Sequence, residues 1–394
     1  MAPRDARARG GAHAMTRRDL DSNAGASPGT GAGADADAGE GARRVATVLF
    51  ERYSDDFDLR HGGGIERALY QLSTALAARG VRVHWYRRQD CPDAQALARR
   101  AAALSADAVF PLPDSPLFWR QAPSTDAGLR ARVVRIWHDV GALTHGRGVV
   151  LPCDRHRAGG DPAAPCSAAH AHPALYAADV CFRDEPWTRC FPRRQVIPWA
   201  VDHLPRLDHR DRDGPVLLLA GKARLEIVTA AVDACRARGV PVRVIFSGWT
   251  TLGRQAKAHF DDPVARAGCD VVRDYRLDED HARVFGGISA AFVLSQYHET
   301  FNFLAAECVH FGLPVVGLRG AGATDGFASL LVDDAAALRA VIAQDRFRAL
   351  APKPMAPWGW DDVAAAYLDL IGRATREDGA PCDAGPRAHP VSTP

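Results

Sequence analysis

Two glutamates stand out in the stretch SQYHETFNFLAAECVHFGLPVVGLRGAG (295–322): Glu299 and Glu307, with seven residues between them. The apolar run AAFVLS (290–295) reads as a strand ending at Ser295. A polar turn then supplies His298 and Glu299, and a helix starting near Phe303 carries Glu307. One carboxylate therefore precedes a helix and the other lies within its first two turns. A helix start leaves backbone N–H groups unpaired and ready for a ligand's oxygens. Carboxylates accept hydrogen bonds from vicinal hydroxyls, so the arrangement suits a sugar or a ribose. Taken alone, two such glutamates are more often a solvated face, so the surrounding elements must decide.

Those elements follow a repeated order. VATVLF (45–50) is a β-branched apolar run of the kind a buried parallel strand requires. A loop ending in Gly62, Gly63 and Gly64 follows, and IERALYQLSTALAAR then places Ile65, Leu69, Leu72 and Leu76 on one helical face. Gly80 stops that helix and VRVHWY (81–86) is the next strand, which completes a βαβ unit. Further strands are expected at 107–112, 133–137 and 178–182, with a helix near 93–104. A Gly/Pro/His-rich stretch at 141–173 reads as a surface loop.

After VIPWAVD (196–202) and a polar linker at 203–214, the pattern restarts. Strands are expected at 216–221, 242–248, 271–275, 290–295 and 314–318, with helices at 224–238 and 303–311. Two successive βα arrays imply an α/β chain of two Rossmann-like domains facing a cleft, with ligands at the carboxyl ends of the strands. The expected division is a disordered tail over 1–44, a first domain over 45–202 and a second over 203–357. A helix over 358–374 crosses back to the first domain, and 375–394 is a second loose end.

Composition narrows the classes. The chain has 394 residues, 47% of them hydrophobic, enough for two cores. A formal net charge of +2 argues against a dedicated nucleic-acid binder. The nine scattered cysteines include no C-x-x-C pair and suit a reduced, cytoplasmic protein. No run approaches the length of a membrane span. The arginines at 79–100 offer cations to anionic lipid at an inner membrane face, although a solvated helix face is the simpler reading. His145, Cys153, His156, Cys166, His170 and His172 have metal-ligand types, but their spacing matches no closed site, so no metal is assigned.

The residues around the two glutamates resemble the family 4 glycosyltransferases of the GT-B fold. L-S-Q-Y-H-E-T-F-N…A-E-C-V-H-F-G-L-P-V-V is similar to that family's E-x7-E region, and the likeness runs from about Val45 to Ala374. It takes in GGGIERALYQLSTALAARG, His138 after a strand, VIPWAVD and the Trp-containing last helix. The resemblance implies a retaining transferase that uses a nucleotide-diphosphate sugar as substrate, with no cofactor and no metal. It implies that Glu307 holds the ribose, that Glu299 contacts the transferred sugar, and that the amides of Phe301, Asn302 and Phe303 bind its hydroxyls. Lys222, with Arg224 as a helper, would meet the diphosphate. Gly63 and Gly64 would let the first domain approach the donor, and His138 would face the donor sugar across the cleft.

The chain also departs from that pattern. Ile227 stands where the family has a second phosphate-binding cation, Asn302 where it has a Gly, and Trp199-Ala200 where it has Asn-Gly; Asp325 replaces a Glu. A catalytically silent subunit that binds a nucleotide sugar or partners an active transferase therefore stands as the alternative. Nucleotide base, sugar and acceptor are not legible in these residues.

Overall fold

The computed structural model describes residues 45–52, 64–112, 132–138, 177–183, 193–207, 210–246, 251–273, 277–297, 299–355 and 357–374. In the first half the strands are β1 (Thr47–Arg52), β2 (Arg82–Arg87), β3 (Ala108–Phe110), β4 (Val134–Ile136), β5 (Ala178–Cys181) and β6 (Arg194–Val196). Helices α1 (Gly64–Ala78) and α2 (Ala94–Ala103) follow β1 and β2. All pairings are parallel, in the orders β2-β1-β3 and β4-β5-β6. A single parallel bridge, Val109 to Val133, joins the two groups at β3 and β4.

The strand edges are tied by buried carboxylates. Glu51, at the end of β1, accepts from the Leu112 amide at 2.9 Å, from Arg88 Nε at 2.8 Å and from the Tyr86 hydroxyl at 3.4 Å. Asp179 on β5 accepts from Arg135 Nε at 2.7 Å and Trp137 Nε1 at 2.9 Å. Each carboxylate is buried and paired, the condition under which a buried charge is tolerated.

The second half is one six-stranded parallel sheet. Its strands are β7 (Val216–Leu219), β8 (Val242–Ile245), β9 (Cys269–Val272), β10 (Ala290–Val293), β11 (Val315–Leu318) and β12 (Leu330–Val332). Helices are α3 (Leu225–Ala237), α4 (Thr251–Asp261), α5 (Pro263–Arg266), α6 (Leu277–Phe285), α7 (Phe303–His310), α8 (Ala323–Phe327) and α9 (Ala335–Ala343). The order β12-β11-β10-β7-β8-β9 reverses between β7 and β10, whose register runs Val216 to Ala290 through Leu219 to Val293. That reversal is where such sheets open a ligand crevice. Apolar side chains pack both faces, Val228, Val232 and Phe260 on one and Phe285, Cys308 and Leu313 on the other.

The last helix, α10 (Trp360–Ala374), returns to the first half. Trp360, Val363, Tyr367, Leu370 and Ile371 join the same core as Val48, Phe50, Leu72 and Val180. The return is locked at its start: the Trp360 amide donates to Asp202 Oδ1 at 3.0 Å, and Trp360 Nε1 and His203 Nδ1 are 3.0 Å apart. A side chain at Gly359 would meet Asp202 Oδ2 at 2.5 Å, so any larger residue would have to displace the carboxylate that holds the Trp360 amide.

Several expectations need adjustment. The strand expected at 271–275 begins and ends earlier, as β9. Asp270 has its carboxylate held by Arg243 Nε at 2.7 Å, which lets a polar pair sit inside the strand pairing. Segment 203–214 is not a free tether: Arg210 donates to the carbonyls of Ser289, Leu350 and Arg348 at 2.9–3.1 Å, binding it to the second half. The expected tails, the loop at 141–173, and with it His145, Cys153, His156, Cys166, His170 and His172, lie outside the described residues.

Candidate active site

The β7–β10 reversal brings several of the candidates together. Lys222 follows β7 and Glu299 follows β10, and adjacency of the two strands makes the residues neighbours. Gln296 N donates to Lys222 O at 3.1 Å, which joins the two loops. Lys222 Nζ then donates to Glu299 Oε2 at 2.8 Å, while Ser295 Oγ donates to Oε1 at 2.8 Å. The Glu299 carboxylate is buried, whereas the Lys222 side chain keeps 38% of its exposure and is only partly enclosed. Backbone pairing fixes Glu299 further: its N–H donates to Ala321 O and its C=O accepts from Ala323 N. Asp325 accepts from the Gly320 and Ala321 amides at 3.0 and 3.2 Å, so the residue that replaces a Glu holds the turn behind Glu299.

Glu307 sits on α7, a helix buried nearly all round by Leu304, Ala305, Ala306, Cys308 and Val309. A carboxylate in such a helix is costly, and burial pushes its pKa up, while the Arg67 guanidinium partly offsets this. Arg67 comes from α1 in the first half, with Nη1 at 3.0 Å from Glu307 Oε1. The two are an ion pair by distance, yet Oε1 accepts no hydrogen bond among the described residues. Arg67 also lies over the Phe303 ring at 5.8 Å, and a side chain at Gly64 would touch that ring at 3.0 Å. Gly64 thus allows a close approach to Phe303; Gly63, Gly62 and His298 lie outside the described residues.

Asn302 caps α7. Its Oδ1 accepts from the Ala305 amide at 3.1 Å and its Nδ2 donates to Thr324 Oγ1 at 2.9 Å. Its φ is −104°, a backbone that needs no glycine, and an asparagine cap contributes about 1 kcal/mol over an uncapped end. The other departures have structural reasons as well. Ile227 is buried in the second core beside Val228 and Ala231. Trp199 stacks on Tyr367 with centroids 6.1 Å apart, so the place of Asn-Gly is filled by a ring that packs on the returning helix. Arg224 is at the start of α3, 66% exposed and 3.7 Å from Glu226, a pair worth little in water.

His138 follows β4 and lies against the second half. Its carbonyl accepts from the Thr300 hydroxyl, and its ring stacks on Trp199 at 5.7 Å and tilts against Phe182 at 5.7 Å. Phe301 meets Phe182 at 6.0 Å from the other side. Burial lowers the His138 pKa to about 3, so the imidazole is neutral at physiological pH and adds no charge to the crevice.

That shift has a stability consequence. An imidazole in the unfolded chain titrates near ~6.5, so between that pH and the lowered value the unfolded state binds a proton the folded state refuses. The stabilisation is complete above the unfolded pKa and is lost as pH falls, by up to about 1.4 kcal/mol per pH unit. We expect His138→Phe, which keeps a ring against Trp199, to lose about 1–2 kcal/mol less than wild type between pH 7 and pH 5. Urea unfolding at each pH measures this. Parallel acid limbs for the two proteins would mean that His138 does not titrate in that window.

Sequence reasoning did not single out Arg67. The available signal was a cation in the first turn of a helix, where the macrodipole disfavours positive charge. Among the described residues no cluster of three His, Cys, Asp or Glu could hold a metal ion, and no helix is long and apolar enough to cross a membrane.

No protein-family model matches the chain. A curated relative does: UDP-GlcNAc:ribostamycin N-acetylglucosaminyltransferase of Streptomyces fradiae, 41% identical over 345 residues, which cover 82% of this chain and 90% of the relative. Among solved structures, the catalytic domain of starch synthase IV from Arabidopsis thaliana, bound to ADP and acarbose, superposes with a TM-score of 0.55. It covers 84% of this chain and 99% of that one at 10% identity. A glycosyltransferase from Rickettsia africae superposes with a TM-score of 0.56 at 11% identity, covering 85% of this chain and all of that one, 100%. With its two parallel α/β halves, its returning helix and a 41% identical relative over 82% of its length, the chain belongs to the glycosyltransferases of the GT-B fold and transfers a sugar from a nucleotide-sugar donor.

Proposed function

We propose that the protein transfers N-acetylglucosamine from UDP-GlcNAc, with retention of configuration, to ribostamycin or a close structural analogue. The observation that carries this reading is the 41% identity to a transferase named for that donor and acceptor. Retention rests on the E-x7-E resemblance of Glu299 and Glu307.

In this reading Glu307, buried and in ion-pair contact with Arg67 at 3.0 Å, accepts hydrogen bonds from the ribose hydroxyls. Glu299 faces the transferred sugar, oriented by Ser295. As the anomeric bond stretches, charge builds on the diphosphate, where Lys222, the start of α7 and the exposed side chain of Arg224 stabilise it. The departing phosphate then assists deprotonation of the acceptor hydroxyl on the same face. The amides at Phe301, Asn302 and Phe303 serve the sugar hydroxyls. Residues 45–202 and 203–357 act as acceptor-side and donor-side domains. No cofactor and no metal take part.

The test is direct. Purified protein is incubated with UDP-GlcNAc and ribostamycin in EDTA, and the product is followed by mass spectrometry and proton NMR. Because the donor is an α-glycoside, retention yields an α-linked product carrying one added N-acetylhexosamine. A β-linked product overturns retention, and transfer that requires added Mg²⁺ or Mn²⁺ overturns the metal-free mechanism. Binding of UDP-GlcNAc without transfer to any aminoglycoside tried would favour the silent-subunit alternative.

A further inference from the structure

We infer that Arg67 is a second cation for the donor's diphosphate, held on Glu307 before the donor arrives and exchanged from carboxylate to phosphate when it binds. The inference rests on the nucleotide-sugar reading above and extends it to a residue of the first half.

The charges of the crevice come in pairs. Glu299 is matched by Lys222 at 2.8 Å and Glu307 by Arg67 at 3.0 Å. A nucleoside diphosphate brings two further negative charges. From the second half the available cations are Lys222 and the exposed Arg224; the next helix position facing inward, Ile227, is a core residue. Arg67 is the remaining described cation in contact with the carboxylates of the site, and it comes from the opposite wall.

Three features show that its place on Glu307 is exchangeable. The pair has the distance of an ion pair, but Glu307 Oε1 accepts no hydrogen bond. The Arg67 side chain keeps 20% of its exposure, whereas Glu307 keeps 1%, so the guanidinium is the partner with room to move. Arg67 also stands in the first turn of α1, where the helix adds positive potential. A cation there gains by meeting an anion, and a diphosphate offers a planar guanidinium two oxygens at once. When ribose hydroxyls take up Glu307, the exchange leaves neither carboxylate nor guanidinium without a partner. Contact between Phe303 and both Gly64 and Arg67 keeps the guanidinium beside the α7 start while this happens.

The test compares uridine with UDP, using calorimetry on the full chain with wild type, Arg67→Met and Arg67→Lys. Uridine reaches Glu307 but has no phosphate to receive Arg67. If the inference holds, Arg67→Met binds UDP about 10- to 100-fold more weakly than wild type and binds uridine equally well or better. Arg67→Lys recovers part of the UDP affinity because it keeps the charge without the fork. Equal losses for UDP and uridine would make Arg67 a structural latch and overturn the exchange. Unchanged UDP affinity would overturn it too. If wild type binds neither UDP nor UDP-GlcNAc, the uridine-nucleotide donor itself is wrong, and the inference falls with it.

Discussion

Glu299→Gln is expected to lower kcat by about 100-fold while changing the KM for UDP-GlcNAc only a few-fold. The substitution keeps size and shape, and the backbone pairing of residue 299 with Ala321 and Ala323 remains. What it removes is one negative charge, held by Ser295 and Lys222 beside the position proposed for the reacting sugar. Positive charge develops at the anomeric carbon only as the bond to the diphosphate breaks. An interaction that strengthens in the transition state appears in kcat rather than in ground-state binding. Lys222 also loses its partner, so its own contribution changes and the two residues will not behave additively. Comparing Glu299→Gln, Lys222→Met and the double variant by steady-state kinetics measures that coupling. Full kcat in Glu299→Gln would remove Glu299 from the reacting sugar and, with it, the reading of the E-x7-E spacing.

Much of the architecture was legible because parallel strands buried on both faces leave continuous apolar runs. VATVLF, AAFVLS and PVVGL each gave a strand within about two residues of its observed ends. Elements whose core face uses small residues were missed. Helix α4 buries Gly253, Ala256 and Phe260, and two of those three carry too little apolar surface to mark a helical period. Strand β12 has only three residues, and α9 is announced by Asp334, whose carboxylate accepts from the Ala337 amide at 2.8 Å, a capping signal that a search for long apolar runs passes over.

The site divides in the same way. Glu299 and Lys222 follow strand ends and Glu307 lies on the helix after one; the seven-residue spacing singled out the two glutamates, and the family resemblance singled out Lys222. The pairing of Arg67 with Glu307 joins residues from the two halves, and no periodicity within either half encodes it. In sequence, the departures at Asn302, Ile227 and Trp199 left a silent subunit open as the alternative. In the structure each is a local substitution of packing or capping for another device.

Glu307→Gln is expected to act on binding rather than on chemistry, and in the opposite sense on stability. The ribose does not react, so its contact is alike in ground and transition states, and losing the charged acceptor raises KM with kcat nearly unchanged. A charge-assisted hydrogen bond is worth roughly 1.5–3 kcal/mol, which corresponds to about 10- to 150-fold in affinity for UDP. Stability moves the other way because burial raises the Glu307 pKa despite Arg67. A carboxyl whose folded pKa is raised stabilises the protein below its unfolded pKa, and that contribution is lost as pH rises through the folded value. At pH 7 the ionised, buried carboxylate therefore costs stability, and the amide removes that cost. Arg67, with 20% of its side chain exposed, remains solvated when its partner becomes neutral. The amide variant should thus melt no lower than wild type at pH 7, with the difference shrinking towards pH 4, while binding UDP far more weakly. Calorimetry with UDP and thermal melts across that pH range measure both effects. A variant that melts lower yet binds UDP as tightly as wild type would show that Glu307 is held for the fold, not for the ribose.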